Sequence, residues 1–253
     1  MIAGWRLLAL RWAVLIGALG ALEAACRFGA IDRLVLLPPT EMLASAVRLV
    51  ASGKAVPDLL ATGRIMAVAI VASLLLGTAG GIALHALPRL KRALAPLLSS
   101  YYSVPVFVLY PVLILIFGLN DLPLIIIGAL FAVIIMAQNT MNGLDRIPLA
   151  LDKTARMLRL SAWQRVFHVM LPAAFPYLIV GAKLAVAYCF IGVIAGEFIL
   201  STIGMGHAIA FAYNDFDNPA MYGLMTLVVV IATTINLSLH AWEHRVRRRR
   251  EGA

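Results

Sequence analysis

The chain has 253 residues, of which 62% are hydrophobic and only 13% are charged, and its mean hydropathy is +0.95. A typical soluble domain is about 45–50% apolar and about 25% charged. The composition therefore excludes a soluble globular enzyme, a secreted disulfide scaffold and a disordered protein, and it indicates an integral membrane protein. We expect residues 1–253 to form a single membrane domain, with no room for a soluble catalytic domain beside it.

The chain is also strongly basic, with a net charge of +9. In a soluble protein this balance would suggest nucleic acid as a partner, but here Lys and Arg cluster in short segments between apolar runs. We therefore interpret them as a topology signal and expect no nucleic-acid partner, with the Arg247–Arg250 run contacting anionic membrane lipid. The two cysteines, Cys26 and Cys189, lack a metal-like spacing.

Apolar runs long enough to cross a bilayer recur along the chain. A crossing needs about 20 mostly apolar residues and must be helical, because unpaired backbone groups are too costly in hydrocarbon. Six stretches meet this requirement: Leu7–Phe28, Ala61–Leu84, Leu94–Gly118, Leu122–Met141, Pro172–Leu200 and Met221–Trp242. The predicted fold class is thus all-α with six transmembrane helices, with bends in the third and fifth spans at Pro105, Pro111, Pro176 and Gly181.

The distribution of basic residues predicts the orientation of these spans. Fifteen of the 21 Lys and Arg residues lie on one side of the predicted bundle and five on the other. Because Lys and Arg accumulate in cytoplasmic loops, we expect both termini to be cytoplasmic. The two outer loops that follow Gly118 and Leu200 carry only acidic charges, at Asp121, Asp215 and Asp217.

The outer segment of about residues 29–60 predicts a loop with a short helix. Thr40 is a plausible N-cap after the two prolines that precede it. Apolar residues then follow at helical spacing, and polar ones occupy the other faces: Leu43, Ala46, Val47 and Val50, against Glu41, Ser45 and Arg48. This pattern indicates an amphipathic helix on the membrane surface, and a role in binding a partner stays open.

The inner segment of about residues 143–171 is the longest connection on the basic side. It predicts two short helices, Ala150–Leu160 and Trp163–Met170, which lead to Leu171 and Pro172. The segment combines basic residues with apolar ones, including Met157, Leu158, Trp163 and Phe167. We expect it to contact another protein, the alternative being a helix pair that packs on its own domain.

This segment resembles the loop of permease subunits of bacterial ABC importers. Their pattern is Glu-Ala-Ala, three residues, Gly, nine residues and Ile-x-Leu-Pro, and the same register here gives Lys153-Thr154-Ala155, Arg159, Val169, Leu171 and Pro172. Ala155, Leu171 and Pro172 match outright. Lys153 stands in place of the acidic residue, and Arg159 in place of the glycine that lets the two helices turn.

The resemblance extends over about residues 36–245 and is to the nitrate/sulfonate/taurine branch. The similar segments are Leu37–Leu43, Pro105, Pro111, Phe117-Gly118, Gly181-Ala-Lys183, Ala195-Gly-Glu197 and Gly204-Met-Gly206. The resemblance implies a type I importer permease in the bacterial inner membrane. It implies ABC ATPase subunits docked at the coupling residues 153–155, 159, 169, 171 and 172, a second permease copy, and a periplasmic or lipid-anchored solute-binding protein.

The same resemblance implies that the solute is small: an organic or inorganic anion such as a sulfonate or nitrate, or a molecule like a vitamin precursor. The chain lacks a Gly-x-x-x-x-Gly-Lys-Ser/Thr loop, so we expect no cofactor in this chain and ATP with Mg on the partner ATPase. An ion-coupled secondary transporter that works without an ATPase is the alternative.

Two ionisable residues lie within the fifth span, and such residues are functional candidates by default. Lys183 and Glu197 share a helix face but lie about 21 Å apart along the axis at 1.5 Å per residue, so they cannot pair. They are candidates for the translocation pathway or for structural contacts within the bundle. Elsewhere, Gly77 and Gly81 predict close helix packing, and a polar patch lies at Gln138, Asn139 and Asn142.

His240, Glu243 and His244 fit the His-x-x-Glu-His pattern of zinc peptidases. They lie at the cytoplasmic end of the last span, and Glu251 is the only carboxylate that follows. We therefore interpret them as interfacial polar residues and predict no metal or catalytic site. An intramembrane enzyme would need a nucleophile and base, or a metal set, within the spans, and no such set is evident in the sequence.

Overall fold

The computed structural model describes the backbone of residues 2–33, 35–101 and 105–251. It describes the side chains of the same residues except 2–8, 152, 156, 200 and 247–251. Within these ranges the chain is built from helices joined by short turns. They are α1 (Ile2–Arg27), α2 (Pro39–Ala51), α3 (Val56–Ala86), α4 (Pro88–Ser100), α5 (Tyr110–Phe117), α6 (Asp121–Asp145), α7 (Leu149–Met157), α8 (Ala162–Arg165), α9 (Leu171–Leu200), α10 (Met205–Asn214) and α11 (Asn218–Glu251).

The centre of the molecule is the contact of α3, α6 and α9, which bury a shared apolar cluster that includes Ile65, Ile127 and Val193. Small residues bring these helices close together. A Cβ added at Gly77 would lie 2.6 Å from the Cβ of Met136, and one at Gly81 would lie 2.6 Å from the Cβ of Thr140. The predicted close packing at these glycines is confirmed.

Five of the described helices are long and apolar enough to cross a membrane: Ala9–Arg27, Val56–Ala86, Asp121–Asp145, Ala162–Ile199 and Asn218–Val246. They correspond to predicted spans one, two, four, five and six. The remaining apolar segment, Val106–Phe117, is shorter. It belongs to the predicted third span, which differs from the others.

The third predicted span, Leu94–Gly118, is not one continuous helix. Helix α4 ends at Ser100, Pro105 is not helical, and a 3₁₀ turn at Val106–Leu109 leads into α5. Pro105 lacks a backbone N–H, so a regular helix cannot pass it without losing a hydrogen bond. The predicted bend at Pro105 is therefore an interruption, whereas Pro111 lies in the first turn of α5, where no hydrogen bond is lost.

The outer segment forms α2 as predicted, but its start and its buried side differ. Pro38 precedes the helix instead of Thr40, and the Thr40 hydroxyl donates to Oε1 of Glu23 over 2.7 Å, which ties α2 to α1. The predicted polar residue Ser45 is buried with Ala46, because both pack against Gly223 of α11. Leu43, Val47 and Val50 are exposed, and their contact with the membrane surface stays a prediction.

The outer connection after α9 is more ordered than a loop. It contains α10, whose residues Ile209 and Ala212 pack with Leu224 of α11 in a second apolar cluster. This helix is shorter than a membrane crossing and begins at the Gly204-Met-Gly206 turn, so a search for spans overlooked it. Its apolar residues at helical spacing were the available signal.

Candidate functional site

The inner segment begins as α7 and continues through a tight turn into α8. The predicted second helix, Trp163–Met170, is present as α8 and a following π-helical turn, Val166–Met170, which runs directly into α9. The predicted first helix is shorter than expected and ends at Met157. This connection makes the second part of the segment a continuous extension of a helix long enough to cross the membrane.

The turn between the two short helices contains Arg159, whose φ is +51°. This left-handed conformation is one that glycine adopts readily and other residues adopt at a cost. The following helix starts with a capping box, in which Ser161 Oγ accepts from the Gln164 N–H over 3.2 Å and Gln164 Oε1 accepts from the Ser161 N–H over 3.0 Å. The turn therefore adopts a conformation that glycine favours, although Arg159 occupies this position.

The predicted coupling residues occupy different environments along this segment. Lys153, Thr154, Arg159 and Pro172 are exposed, Val169 and Leu171 are half-buried, and Ala155 is buried. Ala155 thus supports the internal packing of the segment, whereas the coupling role of the exposed residues stays a prediction.

A surface of apolar side chains covers the tip of the segment, and we call it the loop apolar patch: Met157, Leu158, Trp163 and Phe167. Met157 is 82% exposed and Trp163 is 72% exposed. The rings of Trp163 and Phe167 are in contact, with their centroids 4.1 Å apart and their planes tilted by 40°. Exposed apolar side chains grouped in this way are typical of a surface that contacts a partner or a membrane.

Two sets of polar contacts attach the inner segment to the helix bundle. Arg146 donates to the Tyr177 hydroxyl over 3.2 Å, and its guanidinium lies 5.5 Å from the centre of that ring. Asp145, at the end of α6, accepts from His85 Nδ1 over 2.9 Å and from the ammonium of Lys91. The segment is therefore connected to α9, α3 and α4 at its first residues.

Glu197 lies at the opposite end of α9 and is fully buried. Its carboxylate accepts from the Thr62 hydroxyl over 2.8 Å and from the backbone N–H of Gly206 over 2.9 Å. Thr62 in turn accepts from the Met205 N–H, and Asp58 accepts from the Gly204 N–H. Side chains of α3 and α9 thus pair the free N–H groups at the start of α10, where a negative charge is favourable.

The glycines of this turn are required by the close approach of Glu197. A Cβ at Gly204 would lie 2.4 Å from the carboxyl carbon of Glu197, and Gly204 has a φ of +109°. A Cβ at Gly206 would lie 2.3 Å from the carbonyl oxygen of Ile194. The sequence predicted Glu197 as a candidate but missed Asp58 and Thr62, which lie four residues apart and so share a face of α3.

Lys183 is paired across the bundle with the last helix. Its ammonium donates to Oε2 of Glu243 over 2.6 Å, and it lies 3.5 Å from Nδ1 of His240. Both candidates in the fifth span therefore have partners within the bundle, and each of these partners was missed in the sequence. A role of either residue in the translocation pathway stays a prediction.

The His-x-x-Glu-His residues are arranged on one side of α11. The Nε2 atoms of His240 and His244 lie 3.2 Å apart, while the carboxylate of Glu243 faces Lys183. Within the described ranges of the chain, no group of three or more His, Cys, Asp or Glu is placed to hold a metal ion. The geometry supports interfacial polar contacts at these three residues.

The described chain is thus a bundle of long apolar helices that carries an ordered, apolar-tipped segment at its basic end, as expected of a membrane protein. The chain belongs to the family described as binding-protein-dependent transport system inner membrane component, whose model matches residues 69–252. The resemblance inferred from the inner segment is confirmed by this match.

Several curated relatives are permease proteins of ABC transporters. The chain is 30% identical over 146 residues to the riboflavin transport system permease protein RibX of Chloroflexus aurantiacus, covering 58% of this chain and 54% of that protein. It is 26% identical over 185 residues to the taurine permease TauC of Escherichia coli, covering 72% and 66%. It is 29% identical over 203 residues to the putative aliphatic sulfonates permease SsuC of Bacillus subtilis, covering 80% and 74%. The chain thus spans about half of RibX and just under two thirds of TauC.

Solved structures share the fold. Inward-facing conformations of the MetNI methionine ABC transporter match with a TM-score of 0.64 at 20% identity, over 74% of this chain and 93% of that chain. A second crystal form matches with a TM-score of 0.63 over 83% and 99% of the two chains. The all-α fold is therefore that of a type I ABC importer permease.

Proposed function

We propose that this chain is the membrane-spanning subunit of an ATP-driven importer, in which it forms the pathway for a small solute and couples to a separate ATPase. The observation that carries this proposal is the inner segment, which continues without a break into α9 and presents the loop apolar patch. In this account ATP and Mg are bound by the partner, and the segment transmits the partner's movement to the membrane helices.

We further infer the arrangement of the subunit in the membrane. Both termini and the inner segment face the cytoplasm, in accord with the excess of Lys and Arg at that end, and a solute-binding protein docks at the opposite end. A second copy of the chain completes the pathway. The second copy is supported by α1, because only 6% of the span Ala9–Arg27 is buried within the chain and its apolar surface is open to a neighbour.

The solute proposed is a small organic or inorganic anion such as a sulfonate or nitrate, or a vitamin-like molecule. The relatives include permeases named for the transport of riboflavin, taurine, aliphatic sulfonates and nitrate, and these solutes support this range. The described polar groups within the bundle do not narrow the choice, because Lys183 is already paired with Glu243.

The test is uptake into proteoliposomes that contain the permease, its ATPase and its solute-binding protein. Radiolabelled taurine, an alkanesulfonate, nitrate and riboflavin would be offered separately. We expect uptake of one of these solutes to require ATP on the side of the membrane that carries the ATPase. This uptake should persist when ion gradients are collapsed. Uptake by the permease alone, driven by an ion gradient, would contradict the proposal and establish the secondary transporter instead.

A further inference from the structure

Helix α4 is held in place by few apolar contacts. None of its thirteen described residues, Pro88–Ser100, is buried. Leu90 is 43% exposed and Leu97 is 66% exposed, although both lie on its apolar side. Burial of apolar surface normally fixes a helix against its neighbours, so within this single chain the polar contacts of α4 contribute much of what holds it.

Those polar contacts connect α4 to α6 at two levels. At the base, the ammonium of Lys91 donates to Asp145; further along, the Gln138 side-chain amide donates to the carbonyl oxygen of Leu98 over 2.9 Å. Seven residues separate the two contacts on each helix, which is a rise of about 10.5 Å at 1.5 Å per residue. The two helices therefore run in opposite directions, with the same spacing between the two contacts on each helix.

Asp145 is the point where three elements meet, and we call His85, Lys91 and Asp145 the α4 anchor. A carboxylate only accepts hydrogen bonds, so His85 Nδ1 must carry the proton in its 2.9 Å contact with Oδ1, while Lys91 occupies Oδ2. The Lys91 side chain is 32% exposed and that of Asp145 is 38% exposed. The anchor thus links the end of α3, the base of α4 and the end of α6.

The anchor also adjoins the inner segment. Asp145 is the last residue of α6, the following residue Arg146 contacts Tyr177 of α9, and α7 begins at Leu149. Along the chain, a displacement of α7 therefore reaches α6 first at its last residue, Asp145. Through Lys91 the same displacement acts on α4, whose far end leads to the interruption of the third span.

We propose that the α4 anchor positions the inner half of the third span according to the state of the inner segment, with Lys91 and Asp145 as the positioning residues. ATP-driven movement of the segment is transmitted through this ion pair to α4. This inference rests on the proposed function, since it requires an ATPase that moves the segment. It adds a specific route, through an exposed ion pair, by which that movement reaches the interrupted span.

The test uses the complete complex of permease, ATPase and solute-binding protein in lipid nanodiscs. Lys91→Glu, Asp145→Lys and the double exchange Lys91→Glu/Asp145→Lys are compared with the wild type. The readout is the ratio of ATP hydrolysis with solute-loaded binding protein to hydrolysis without it. Arg89→Glu is the matched control, because it makes the same charge change on an exposed residue of the same helix.

We expect each single variant to lower the stimulation ratio about fivefold, which is the lower end of common coupling between sites, while the complex still hydrolyses ATP. The double exchange restores the pair with reversed charges and should recover most of the ratio, as a double-mutant cycle requires for directly interacting residues. Arg89→Glu should leave the ratio unchanged.

Three results would contradict this inference: an unchanged ratio in both single variants, no recovery in the double exchange, or an equal loss in Arg89→Glu. If the single variants do not assemble, Asp145→Asn removes the charge at nearly constant shape, and an unchanged ratio in that variant would overturn the inference. A wild-type permease that recruits no ATPase would instead overturn the proposed function, so the two failures are distinguishable.

Discussion

Glu197 shows how one buried carboxylate can organise the outer end of the bundle. It has no exposed surface, and its oxygens accept from the Thr62 hydroxyl and the Gly206 N–H. The same contacts fix the start of α10. Because every donor around this carboxylate needs an acceptor, its role depends on having two oxygens and no N–H group.

Replacing Glu197 by Gln tests that role. The amide NH₂ would face a hydroxyl or an N–H donor, so one buried donor would lose its partner, at a cost of about 1–3 kcal/mol. We expect a lower midpoint in thermal unfolding of the detergent-solubilised protein. Glu41→Gln is the control, since Glu41 lies 3.4 Å from Arg33 in an exposed pair and exposed pairs contribute little. Equal midpoints for the two variants would contradict this account of Glu197.

Arg159 differs from Glu197, because its backbone, more than its side chain, determines its effect. Its left-handed φ of +51° costs an L-residue about 1–2 kcal/mol, and glycine would avoid this cost. Glycine would also raise the entropy of the unfolded chain, which lowers stability by about 0.4–1 kcal/mol. Arg159→Gly should therefore slow local opening of the turn, measured as slower hydrogen exchange of the amides near residue 160. Arg159→Lys keeps the strain and should exchange like the wild type. Faster exchange in Arg159→Gly would argue against strain at this position.

At the scale of elements, the close contact between α3 and α6 depends on some glycines of α3 and not on others. A Cβ at Gly77 would meet Met136 at 2.6 Å, whereas a Cβ at Gly80, on the same helix, would meet nothing within 4 Å. Overpacking of a tight contact costs about 1–3 kcal/mol. Alanine at an open helical position should be neutral or slightly stabilising.

We therefore expect Gly77→Ala to lower the thermal midpoint and Gly80→Ala to leave it unchanged or raise it. Both variants add one methyl group to the same helix, so a difference between them reports on packing and not on composition. Unfolding followed by circular dichroism in detergent measures both. A destabilisation of the same size in the two variants would show that α3 and α6 do not pack as described.

The apolar runs of the sequence predicted five of the membrane-crossing helices, because length and hydropathy alone decide whether a segment can span a bilayer. They did not reveal that the third span is interrupted, since hydropathy is insensitive to a missing backbone N–H at Pro105. Helix α10 was missed because it is too short to cross. The interruption of the third span and the short helix α10 both depend on backbone geometry and not on composition.

The candidate site divides in the same way. The inner segment was found from local spacing, which the chain retains from residue 153 to residue 172. The partners of the two ionisable residues in the fifth span were not, because Thr62 and Glu197 are 135 residues apart in the chain and Lys183 and Glu243 are 60 residues apart. Contacts of this range depend on how the helices pack, and one sequence without that packing does not specify them.

For the whole molecule, the two ends differ in charge, and this difference predicts the orientation in the membrane. Ala51 and Ala150 are exposed alanines at opposite ends, and the native Cys26 and Cys189 are both buried, so background labelling should be low. We expect a membrane-impermeant maleimide to label Ala51→Cys on intact cells and to label Ala150→Cys only after the cells are opened. The reverse pattern would invert the proposed topology.

The loop apolar patch is the feature of the whole molecule on which the proposed function depends most. Trp163 is 72% exposed at the tip of the inner segment, and Phe216 is 88% exposed at the opposite end of the bundle. An acidic residue at either position should leave the helices folded, because neither side chain is buried. Only the first position should touch an ATPase.

The most direct test of this account is co-purification of the tagged permease with a co-expressed ABC ATPase from the same gene neighbourhood, for the wild type, Trp163→Glu and Phe216→Glu. We predict that the wild type and Phe216→Glu retain the ATPase in detergent and that Trp163→Glu loses most of it. Equal retention by all three would contradict docking at the loop apolar patch. A wild-type permease that retains no ATPase would contradict the importer itself.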